Sequence, residues 1–186
     1  MRLKKIKWLN IVLIIGIVIV LFTPVGRYAR AFAGKWIASG SAMVKGELQM
    51  GVDNYNWQLV NIEGKDFNFE EARNKVVLVN FWATWCPPCI AEMPSLQSLY
   101  HDYGDKIVFM CVAQDNPDKV AAFISKKGYD LPVYFSKTEA PSLLSAKLLP
   151  TTYIIDRQGK IVIAETGSAD WNRAEVRTIL DGLLQE

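Results

Sequence analysis

The chain has 186 residues, carries 21 Lys and Arg against 19 Asp and Glu for a net charge of +2, and is 51% hydrophobic and 22% charged. That length holds one well-cored domain with an appendage rather than two domains, and so small a net charge gives no footing for nucleic-acid binding. Three cysteines are too few for a disulfide scaffold, and two of them stand together as C-x-x-C.

Arg2, Lys4, Lys5 and Lys7 precede an apolar run over 8–22, broken only by Asn10 and Gly16. A bilayer core about 30 Å thick needs about 20 helical residues. Counted through Val25, with Lys7 and Arg27 snorkelling, the run reaches the lower end of the spanning range. Residues 1–24 are therefore expected to form a single transmembrane helix that holds the chain in membrane lipid. A core helix suits this terminal, basic-flanked run poorly. A signal peptide cleaved after Ala31-Phe32-Ala33 is the stronger alternative, against which stand Arg27 and Arg30; both the anchor and the signal peptide export the rest of the chain.

Residues 25–54 are expected to be juxtamembrane. Val25, Ala29, Phe32, Trp36 and Ile37 recur at helical spacing, which suits an amphipathic surface helix. Gly34, Ser39, Gly40 and Ser41 suit a partly ordered stalk instead, and 46–54 reads as a linker.

The folded domain spans 55–186 and alternates strand and helix. Strands are predicted over 57–62 and 66–69 around a Glu63-Gly64-Lys65 turn, then over 76–82, where VVLVNFW is the short apolar, β-branched run expected of a strand buried on both faces. A helix over 86–103 follows, with Pro94 predicting a kink, then a strand over 107–113 and a helix over 118–127 stopped by Gly128. Beyond these come a short strand over 131–135, a short helix over 140–147, and strands over 152–155 and 161–165 joined by a hairpin with Gly159 near its end. A last helix runs over 172–184, with Asn172 and Glu175 at capping-box spacing. The order predicts an α/β fold: a mixed sheet with helices on both faces.

Cys86 and Cys89 fall where the buried strand over 76–82 gives way to a helix. A helix amino terminus offers unpaired N–H groups and a partial positive charge, both of which stabilise a thiolate. Cys86, expected at the exposed end, is the candidate nucleophile, and Cys89, one helical turn on, is the resolving thiol. A half zinc site lacks its second ligand pair, since only Cys111 and His101 remain. A structural disulfide closing so small a loop adds little stability.

The stretch VNFWATWCPPC, followed at Pro150 by a proline leading into a strand, resembles the thioredoxin superfamily. It is most similar to the membrane-anchored TlpA/ResA-like thiol–disulfide oxidoreductases, over residue 57 to the carboxyl terminus. The resemblance implies a thioredoxin-like three-layer fold, a mixed central sheet flanked by helices. It implies that Trp85 shields the site, and that Leu149-Pro150-Thr151 is a cis-proline loop that binds the substrate chain as an added strand. Where thioredoxins usually carry a buried Asp, six residues before the first cysteine, this chain has Asn80, which cannot take a proton. Glu92, one turn beyond Cys89, is the nearest candidate base, a solvated helix residue being the alternative. Pro87 and Pro88 lie between the cysteines, and Pro87 has no N–H for the Cys86 sulfur. A moderate rather than strongly acidic Cys86, and a pair poised as a reductant, are expected on that account.

Cys111 in IVFMCVA is expected to be a small core hydrophobe, His101 a surface residue without a partner, and Trp57 and Trp171 packing residues. The function expected is that of a single-pass inner-membrane enzyme with its catalytic domain on the periplasmic side. It would reduce disulfides of exported proteins, such as the haem-binding cysteines of apocytochrome c, and be recharged by a transmembrane thiol donor. No metal or organic cofactor is implied beyond the Cys86–Cys89 pair. A disulfide oxidase or isomerase using the same residues is the alternative within the class, and a tethered chaperone or binding module the one outside it. A thioredoxin-fold peroxidase would need a Thr-x-x-Cys with a nearby Arg.

Overall fold

The computed structural model describes residues 55–186, the strand Leu48–Gln49, and three helical positions at Trp8, Ile11 and Val12. The rest of the expected anchor, over 1–24, and the amphipathic segment after it lie outside the described residues. Among the described residues, no helix is long and apolar enough to cross a membrane. Strands β1 (Leu48–Gln49), β2 (Gln58–Asn61), β3 (Asp66–Asn68), β4 (Val77–Trp82), β5 (Val108–Ala113), β6 (Val133–Ser136), β7 (Thr151–Ile155) and β8 (Lys160–Thr166) alternate with helices α1 (Pro87–Tyr103), α2 (Pro117–Lys127) and α3 (Ala174–Gln185).

All the strands join one mixed sheet in the order β1-β8-β7-β4-β5-β6-β2-β3. The β4–β5 and β5–β6 pairs are parallel and the others antiparallel. β4 lies near the centre and all six of its residues are buried, as its sequence predicts. Val77, Val79 and Phe81 face one layer, and Leu78 and Trp82 the other.

Among the described residues, the helices do not flank both faces of the sheet. Met93, Leu96 and Leu99 of α1, Val120 of α2, and Val176, Leu180 and Leu183 of α3 all enter the same core as Leu78 and Trp82. The crossovers β4–α1–β5 and β5–α2–β6 step the same way across the sheet, and right-handed connections then put both helices on one side. The opposite face is covered by Tyr55, Trp57, the 3-10 turn Phe69–Ala72 and Leu144.

Three local expectations also change. The helix expected over 140–147 is only a 3-10 turn at Ser142–Leu144. The linker expected over 46–54 contributes β1, which pairs Leu48 with Ile161. α3 starts at Ala174, so its N-cap is Arg173, whose side chain has no acceptor to cap with, and Asn172 Oδ1 instead accepts from Arg177 Nη1 at 2.6 Å. α2 does end at Gly128, whose φ of 66° is the left-handed conformation that glycine adopts without strain.

Candidate active site

β4 delivers the chain to the site through Ala83, Thr84 and Trp85. This turn is tied down. Cys86 N–H donates to the Ala83 carbonyl at 3.2 Å, and Gln114 N–H donates to the Trp82 carbonyl at 2.8 Å. The Thr84 hydroxyl donates to the Asp115 carboxylate. That bond, helped by the Asn116 N–H, holds Asp115 below its usual carboxylate range. The loops after β4 and β5 are thereby joined beside the cysteines.

Cys86 is the N-cap of α1, and its sulfur accepts from Cys89 N–H at 3.3 Å. That amide contacts the sulfur where Pro87 has none to offer. Pro87 and Pro88 fill the first helical positions, where an N–H has no partner inside the helix, so they start α1 at no loss. The two cysteines are disulfide-bonded, with Cα atoms 5.3 Å apart. Contrary to the expectation of an exposed Cys86, it is only 3% exposed, and Cys89 is fully buried. Trp85, expected to shield the site, is itself 65% exposed.

Glu92 is 1% exposed, which removes the solvated alternative. Its Oε1 accepts from Asn80 Nδ2 at 2.8 Å. Its Oε2 accepts from Trp171 Nε1 at 2.9 Å and from Ala169 N–H at 3.2 Å. Burial pushes the carboxyl up from 4.5 to about 7; the three hydrogen bonds pull it back, and the Glu165 charge adds to the rise. Asn80 Nδ2 also donates to Thr152 Oγ1 at 2.8 Å, and Asn80 Oδ1 has no hydrogen-bond partner among the described residues. Asn80 pairs in register with Cys111 on β5 and with Thr152 on β7, and Thr152 with Glu165 on β8. These four polar or titratable side chains form a row across the sheet. Glu165 is paired with Arg173 at 3.2 Å. Cys111 is a buried free thiol whose pKa burial drives up, with the Glu92 charge adding, consistent with a core residue.

The Leu149–Pro150 peptide is cis. Leu149 packs against the core that contains both cysteines. Pro150 and Thr151 are buried, and the Thr151 hydroxyl donates to the Leu148 carbonyl at 2.8 Å. Leu148, which the sequence did not single out, is 68% exposed. His101 is a surface residue but has a partner, Asp130, at 3.4 Å. Trp57 is a core residue as expected, whereas Trp171 also donates to Glu92. A tryptophan in a loop 79 residues from its carboxylate partner carries no local signal of that contact.

Residues 32–180 match the family model described as Redoxin. The chain is 31% identical over 138 residues to the thioredoxin-like protein YneN of Bacillus subtilis, covering 72% of this chain and 81% of that protein. It is 33% identical over 145 residues to the thiol–disulfide oxidoreductase ResA of Bacillus cereus, covering 76% of this chain and 80% of that one. Among solved structures, a candidate DsbE-type thiol:disulfide interchange protein from Chlorobium tepidum matches with a TM-score of 0.61. That match covers 77% of this chain and 99% of the other at 23% identity, a likeness of fold.

Proposed function

Because the chain belongs to the Redoxin family and is a thiol–disulfide oxidoreductase of the ResA type, we propose that it reduces disulfides of exported proteins through Cys86 as nucleophile and Cys89 as resolving thiol. The observation that carries this reading is Cys86 as N-cap of α1, its sulfur within reach of both the Cys89 amide and the Cys89 sulfur. In the dithiol form, the helix terminus stabilises a Cys86 thiolate. That thiolate attacks a substrate disulfide, and one substrate sulfur leaves as a thiolate. Cys89 gives its proton to Glu92 and attacks Cys86 Sγ. The Cys86–Cys89 bond forms, and the second substrate sulfur departs. Glu92 suits that task because its carboxyl titrates near 7, the range in which a base can both take and return a proton. Leu149, Pro150 and Thr151 would hold the substrate chain by its backbone, with Trp85 and Leu148 offering apolar contact beside them.

The setting belongs to the same proposal. The basic start and apolar run over 8–22 support a helix anchored in membrane lipid with the domain on the extracytoplasmic side. A transmembrane thiol donor would regenerate the dithiol, and apocytochrome c is one candidate substrate. With the reduced full chain, Cys89→Ser should accumulate a mixed disulfide with substrate, and Cys86→Ser should form none. The reduction potential of the pair should lie near about −270 mV; a value near about −120 mV would instead mark an oxidant. Equal trapping by both variants would remove the assignment of nucleophile.

A further inference from the structure

The segment between β8 and α3 touches both the cis-proline loop and the buried acid. At its start, Gly167 N–H donates to the Pro150 carbonyl at 2.8 Å, and the Thr166 and Thr151 hydroxyls lie 3.1 Å apart. A few residues on, the Ala169 amide and the Trp171 indole both donate to Glu92 Oε2. Trp171 N–H donates to Ser95 Oγ at 3.1 Å, and that hydroxyl donates to the Glu92 carbonyl at 2.7 Å. The segment is thus fastened to α1 at Glu92 by backbone and side chain together.

These bonds treat the two carboxylate oxygens unequally. Oε2 accepts from two donors and Oε1 from one, the Asn80 amide. A proton placed on Oε2 would compete with two hydrogen bonds; on Oε1 it competes with one. We propose that Trp171 is a positioning residue for the resolving step: its indole N–H, with the Ala169 amide, occupies Oε2 and leaves Oε1 to receive the Cys89 proton. This rests on the reading of Glu92 as proton acceptor. In the step, the S–H bond of Cys89 breaks and an O–H bond forms at Oε1. The Cys89 thiolate then forms the bond to Cys86 Sγ as the substrate sulfur leaves with the electron pair.

The other groups around Glu92 do not substitute for it. Cys89 on α1 is the proton donor. Cys111 on β5 is a thiol that burial keeps protonated. Asn80 on β4 and Thr152 on β7 do not titrate. Glu165 on β8 is held by Arg173, and Asp170 is exposed, its carboxylate accepting from Asn172 N–H. The Trp171 hydrogen bond favours the ionised carboxylate, so its loss raises the pH at which Glu92 gives up its proton.

The experiment mixes the reduced full chain with an aromatic disulfide whose released thiolate absorbs visible light. Attack by Cys86 releases one thiolate and resolution by Cys89 releases the second, so the second phase can be timed against pH. In the wild type its rate should rise through a step near neutrality. Trp171→Phe should move that step about one pH unit to the alkaline side, the scale of one hydrogen bond to a charged group. Glu92→Gln should abolish it. A slower second phase with an unmoved step in Trp171→Phe, together with its loss in Glu92→Gln, overturns the role of Trp171 and leaves that of Glu92 standing. A step that survives Glu92→Gln overturns the acceptor reading itself. Should Trp171→Phe fail to fold, benzothienylalanine placed at position 171 keeps the ring shape without the N–H. It should give the same alkaline shift, and an unshifted step there overturns the proposal.

Discussion

Burying the Glu92 carboxyl makes the stability of this protein depend on pH in a direction opposite to that of a salt-bridged acid. Its pKa is about 7 in the folded chain against an ordinary value of 4.5. Below pH 4.5 both the folded and unfolded states hold the proton. Between 4.5 and 7 the unfolded chain loses it and the folded chain keeps it, so stability falls as pH rises through this window and levels off above it. A shift of this size corresponds to a loss on the order of 3 kcal/mol. Denaturant unfolding of the oxidised protein at pH 4.5, 5.5, 7 and 8 should show this fall relative to Glu92→Gln, which stands in for the neutral acid. Parallel pH profiles for the two would rule out burial as the cause. The cysteine pair, Pro150 and the candidacy of Glu92 were legible in the sequence because spacing along one helix, or one proline before a strand, carries them. The partners of Glu92 were not, since Asn80 and Trp171 lie 12 and 79 residues away and meet it only through the fold.

At the scale of elements, the same division between local and distant signals holds. α2 is bounded by its own sequence: the Asn116 side chain accepts from the amides of Asp118 and Lys119, and Gly128 closes the helix in the left-handed conformation. Asn116→Ala should cost about 1 kcal/mol through the lost cap, and Gly128→Ala a similar amount through a backbone angle that alanine resists. Both are readable as lower denaturant midpoints with unchanged slopes, and a midpoint equal to the wild type's would contradict the capping account. At α3 the same kind of signal misleads. Asn172 has the right spacing for a cap, yet Arg177 takes its side chain. Of the short helix expected over 140–147, only the middle forms. Leu144 is fully buried against the sheet, and only one turn around it is helical. The order of elements could not by itself assign the helices to faces; that needed the strand order, from which the handedness of the crossovers follows.

The whole sheet has two ends that differ in use. β4 runs toward the disulfide, and the antiparallel register places Thr151 and Thr166 at that same end. Lys160 and Ile161, which pair with β1, sit at the other. β1 also covers part of the outer edge of β8, where unpaired backbone groups invite another strand. A chain beginning at Tyr55 should therefore self-associate more, at equal concentration, than one beginning at Met43. Sedimentation that does not distinguish the two would show that β1 has no such protective part. The placement of β1 also sets reach. Ile161 and Thr166 stand five residue steps apart along β8, a rise of about 17 Å at strand spacing. The proposed membrane anchor, lying ahead of Leu48, would grip the domain at its foot. Under that proposal the redox end would stand off from the point of attachment by the height of the sheet, like the head of a lamp on its post.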